Sequence, residues 1–152
     1  MAKSLDDPAV RAEVLRRLDA LTPDARPRWG TLTVGKMVCH LGDLYEALYD
    51  APERKYTGKP ITRHFPVKHL FLYVLRFPHG VKGPKGVFRT EPATEFARDV
   101  ERARRLTELY PERAGKGVHG WPGHPYFGLL DGREWGYFSY KHADHHLRQF
   151  GV

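Results

Sequence analysis

One cysteine, Cys39, is all that the 152 residues contain. That excludes an intramolecular disulfide and any zinc site built on several thiolates. No apolar run approaches the roughly 20 residues of a membrane span. The best candidate, HLFLYVLRF, is about half that length and carries Arg76. The opening MAKSLDDPAVRAE lacks the apolar segment of a signal peptide. The expectation is a cytoplasmic protein without a membrane partner. Strand signals are scarce, because no alternating run has turn chemistry on both sides. Repeats, low-complexity tracts and dividing linkers are also missing, so residues 1–152 read as a single domain.

What is present suits a soluble globular chain: 41% hydrophobic and 28% charged residues. The net charge is +7 and the isoelectric point about 9.6. Lys and Arg are spread along the chain rather than massed, and no RNP aromatics, zinc-finger spacing or basic zipper accompanies them. A small, anionic substrate fits the charge, and nucleic acid is not the expected partner.

Helical periodicity dominates. Residues 7–21 read as a first helix, capped by Asp6 or Asp7 with Pro8 in its first turn. Val10, Val14, Leu15, Leu18 and Leu21 form its apolar stripe. TLTVGKMVCHLGDLYEALYD is a second helix with Thr33 as N-cap and Met37, Leu41, Leu44, Tyr45 and Leu48 inward. VKHLFLYVLRF is a short third helix, and TEFARDVERARRLTELY a fourth, capped by Thr94. In the last helix Asp131 and Glu134 have capping-box spacing. The predicted fold class is all-α, about five helices with four forming a bundle. Long loops at 77–93 and 111–131 are unusual unless they are functional or mobile.

The last helix ends in SYKHADHHLRQF, with three of the nine histidines in five positions. At about 100° per residue, with Trp135 at zero, its apolar arc centres at roughly 30°. His146 falls at about 20° and His142 at about 340°, so both face inward, while His145 lies at the edge. Imidazoles at i and i+4 are neighbours on a helix and can bind one ion. The intervening residues lack the Glu of a zinc protease, so that chemistry is excluded. A third ligand must come from elsewhere. His40, on the flank of the apolar face of the second helix, is the candidate. The alternative for each ring is a hydrogen-bonded core histidine.

The C-terminal HPYFGLLDGREWGYFSYKHADHHLRQFGV, with RWGTLTVGKMVCHLGDLYEAL earlier, resembles the DinB/YfiT-like superfamily of metal-dependent enzymes. The closest likeness is to a branch named only as a domain of unknown function. The resemblance covers most of the chain and is general in character over residues 50–115. It implies a four-helix bundle with up-down-down-up topology. It also implies a divalent metal, nickel or zinc, held by His40, His142 and His146. Some members of the superfamily are transferases that use a low-molecular-weight thiol, others are hydrolases or isomerases, and homodimers are common among them.

Three neutral imidazoles with open positions would lower the pKa of a bound water or thiol. Thiol-dependent S-transfer and hydrolysis of a small substrate are therefore the expected chemistries, with no catalytic side chain assigned. The alternative is a non-catalytic, stress-related protein that holds a metal or ligand. Around the site, Gln149 phases inward as a hydrogen-bond partner. Asp43 either accepts an imidazole N–H or lies at the surface. His124 braces its loop or approaches the site, and His145 is exposed or donates to a ligand. Lys82, Lys85 and Arg89 are candidates for a pocket rim. Trp29, Trp121 and Trp135 read as core. Cys39 phases opposite the apolar face and has no activating base. Asp144 and Arg148 read as a surface ion pair.

Overall fold

Asp7 starts the first helix, α1 (Pro8–Asp19), by accepting a hydrogen bond from the Ala9 N–H at 2.8 Å. The computed structural model describes residues 2–49, 59–80, 90–116 and 120–152. Thr33 caps α2 (Val34–Tyr49), its hydroxyl accepting from the Lys36 N–H at 3.3 Å. A 3-10 turn (Pro60–Arg63) leads to α3 (Val67–His69), which runs into one π turn (Leu70–Val74). Then come α4 (Phe96–Glu108), a four-residue α5 (Tyr110–Arg113) and α6 (Gly132–Gln149). The Asp131–Glu134 capping box of α6 is complete, each side chain accepting from the other's backbone N–H. Among the described residues there is no strand, only a bridge between His124 and Gly128.

The all-α expectation holds. Three details of it do not. The third helix stops at Val74 instead of reaching Phe77, because the Lys141 ammonium on α6 binds the carbonyls of Phe71, Leu72 and Leu75 and ends it. Lysine is suited to such free helix-end carbonyls. Thr94 does not cap α4. The helix begins one residue after Glu95, while Asp99 reaches back to the Ala93 N–H at 2.8 Å. And α5 forms where a loop was expected, started by Pro111 within its first turn.

α2 packs on α4, α4 on α1 and α1 on α6. Val14, Leu18, Met37, Leu41, Tyr45, Leu48, Leu106, Trp135 and Leu147 form the shared core. α2 is covered on several sides, and this overturns two phase-based expectations. Cys39 and Asp43 are both buried, although each phases away from the stripe. Burying Met37, Leu41, Tyr45 and Leu48 contributes about 1.5–3 kcal/mol each. The Asp43 carboxylate keeps partners in Thr90 and Arg102, so its burial there leaves no charge unpaired. Asp144 is likewise more than a surface charge. It pairs with Arg148 at 2.9 Å and also with Arg17 of α1 at 2.9 Å, tying α1 to α6.

Candidate metal centre

α2 and α6 do not press their backbones together as α2 and α4 do. Imidazoles meet between them instead. His40 from α2 lies 4.7 Å from His142 and 5.0 Å from His146, ring centre to ring centre, and those two are 4.7 Å apart. One ring nitrogen of each falls within 4.8 Å of the others. The Nε2 atoms of His40 and His142 are 2.9 Å apart. The structure thus brings together the three histidines that the sequence singles out.

The donor set fits a divalent cation. Two imidazoles bound at right angles with bonds of about 2.1 Å have their nitrogens about 3 Å apart, close to the observed pair. That separation is also a hydrogen bond, in which one Nε2 donates to the other. Burial keeps His142 and His146 uncharged. It pushes His142 well below the ordinary histidine range, and neighbouring His146 and His40 add to the effect. His146 is lowered to about 3, again by burial first and then by His40. Neutral imidazoles are the form that binds metal, so no proton need leave His142 or His146 at neutral pH.

Gln149 fixes the tautomer of His146. Its amide N–H donates to the Trp29 carbonyl at 2.7 Å, and a carbonyl can only accept. The amide oxygen therefore faces His146 Nδ1, at 3.1 Å, and must receive its proton. His146 is left with an Nε2 lone pair toward the other two rings. Gly30 makes this possible. It adopts φ +74°, and a Cβ there would come within 3.2 Å of the Gln149 amide nitrogen. Replacing Gln149 by Ala is expected to weaken divalent-metal affinity about 10–100-fold, read by competition with a chromogenic chelator. Unchanged affinity would mean that His146 needs no orienting partner.

The remaining candidates divide. His145 is half-buried and stands edge-on to Trp29 at 5.6 Å and to His146 at 5.2 Å. It is neither fully exposed nor one of the three converging donors. His124 is buried against Phe127 and Phe138, and its Nδ1 accepts from the N–H groups of Tyr126 and Phe127 at 3.1 and 3.2 Å. Those bonds brace the loop before α6. Asp43 accepts from the Thr90 N–H at 2.9 Å and pairs with Arg102 at 2.8 Å, linking α2 to α4. Lys82, Lys85 and Arg89 lie outside the described residues. The Cys39 thiol is pushed up to about 11 by burial, which removes it as a nucleophile.

Sequence reasoning missed Phe77 and His79. Only the length of the 77–93 loop hinted that something sits beneath it. His79 stacks on Trp29 at 3.9 Å, and both His79 and Phe77 border His145. Trp29 is accordingly part of the rim of the histidine cluster and not simply core. One surface depression lies elsewhere, on the outer face of α4 between Ala97, Arg98, Glu101, Arg102 and Arg105. It holds no imidazole or nucleophile, so the histidine cluster is the better functional candidate.

Comparison with protein-family models, with curated proteins and with solved structures gave no match.

Proposed function

We propose that the protein is a metal-dependent enzyme of the DinB/YfiT kind, with a four-helix-bundle fold, acting on a small and anionic substrate. The observation that carries this reading is the convergence of His40, His142 and His146 on one point from two helices. Nickel or zinc suits three imidazole donors. No fourth protein donor joins them among the described residues, and catalytic sites keep such an opening where structural sites saturate.

A divalent cation held there would act as a Lewis acid that makes a bound water, or the thiol of a small cofactor, reactive near neutral pH. The chain's own contribution is orientation and exclusion of water. Gln149 holds His146 in one tautomer. Phe138 stacks on His142 with ring centres 5.7 Å apart, which holds that ring in place. S-transfer and hydrolysis both fit this arrangement. A non-catalytic metal-holding role is favoured by one feature: Trp29, Phe77, His79 and His145 wall one side of the cluster.

Metal content by mass spectrometry on untagged protein tests the proposal. Near-stoichiometric metal that disappears in His142→Ala and in His146→Ala, with helicity kept, is the expected result. Thiol-transfer and esterase substrates would then separate turnover from storage. No uptake of nickel, zinc or manganese by the wild type would end the metalloenzyme reading.

A further inference from the structure

The net positive charge of this protein arises in a quarter of its length. Residues 54–90 hold nine of the 25 Lys and Arg and none of the 18 Asp and Glu. The rest of the chain has 16 cations against 18 acids. The cations are spread, but the acids are excluded from one segment, and that exclusion makes the net charge +7.

The same segment carries the exposed apolar side chains. Among the described residues the large hydrophobics left in water are Ile61, Phe65, Leu70, Val74, Leu75 and Leu129. Five of the six belong to it, with Phe65 83% exposed. Leu129 stands beside it, since Lys68 donates to the Leu129 carbonyl at 2.9 Å. The segment's described residues 59–80 are anchored. Lys68 pairs with Glu134 at 2.7 Å, the Thr62 hydroxyl donates to the Tyr126 carbonyl, and Lys141 closes the π turn. Lys59 and Arg76 are exposed within the segment.

We propose that this face, Ile61, Phe65, Leu70, Val74, Leu75 and Leu129 between Lys59 and Arg76, docks on an anionic lipid surface. Two arguments select that occupant. A second copy is disfavoured, because a two-fold interface would set the acid-free segment against itself. A folded acidic protein would need carboxylates set against an array of free cations, whereas Lys68 is already paired with Glu134 and the exposed large side chains here are apolar. Lipid needs neither symmetry nor such an array. Apolar side chains enter the headgroup boundary, and cations add attraction to anionic headgroups. No helix among the described residues is long and apolar enough to cross a membrane, but surface association requires none.

The test is sedimentation of the full chain with vesicles of phosphatidylcholine, and with vesicles of phosphatidylcholine and phosphatidylglycerol in equal parts. Binding is expected to the anionic vesicles at about 0.1 M salt and to fall steeply near 1 M, where the screening length is about 3 Å. Phe65→Ser should weaken it about fivefold to tenfold, and adding Leu129→Ser should weaken it further. Both side chains are exposed, so circular dichroism should be unchanged. Charge reversal of Lys59 and Arg76 should remove it. No sedimentation with anionic vesicles overturns the proposal. So does binding that Phe65→Ser leaves intact, or an equal preference for RNA, either of which would mark a purely electrostatic contact. So does a concentration-dependent dimer lost in Phe65→Ser, which would assign the face to a second copy.

Discussion

Replacing His40 and His142 together by Leu is expected to abolish metal retention and to make the metal-free protein more stable. His142 Nδ1 is buried without a hydrogen-bond partner, and the ring stacks against Phe138. Its Nε2 meets His40 Nε2 at 2.9 Å. Leucine at position 142 alone removes a buried polar atom but strips that partner from His40. The two effects are of similar size, about 1–3 kcal/mol each, so His142→Leu should fall within about 1 kcal/mol of wild type. Removing both partners takes away the desolvation cost on each side, and a gain of about 1–2 kcal/mol follows. Sites that perform a function commonly carry such a cost. Urea midpoints of the metal-free proteins decide it. A double variant less stable than wild type by more than about 2 kcal/mol would mean that the histidines are a structural hydrogen-bonded unit, and the case for a metal would weaken.

The parts of this arrangement that are local could be read from residues in order. Asp7, Thr33 and the Asp131–Glu134 box start their helices as their side chains require. His142 and His146 lie four apart, and helical spacing alone places them on the Trp135 face. What failed depended on partners distant in the chain. The run from Val67 to Phe77 looks like one helix, yet a lysine some seventy residues later ends it at Val74. Cys39 and Asp43 have an outward phase on a wheel with one buried face, but α4 also covers α2 there, through Arg102. His79 reaches Trp29 only because the loop after α3 is held where it is, and no spacing rule pairs those two residues.

Acid should unfold the metal-free protein earlier than an ordinary carboxylate titration would, and the same histidines set the direction. An unfolded histidine titrates near 6.5. In the fold, His146 is held at about 3, and burial drives His142 the same way. Between those limits the unfolded chain binds protons that the native chain refuses. Stability therefore falls as pH drops below about 6.5 and stops falling, for His146, near pH 3. Each such group contributes up to about 1.4 kcal/mol per pH unit within that window. Two groups acting over one to two units cost several kcal/mol, a large share of the 5–15 kcal/mol typical of a domain. The measurement is the urea midpoint at about pH 7.5, 6.5 and 5, with metal removed, for wild type and for His146→Leu. Wild type should lose stability steeply below pH 6.5, and the variant with about half that slope. Equal slopes would show that His146 becomes charged in place, which requires water in the cluster. A site that admits water so readily would hold its three rings too loosely to preorganise a cation.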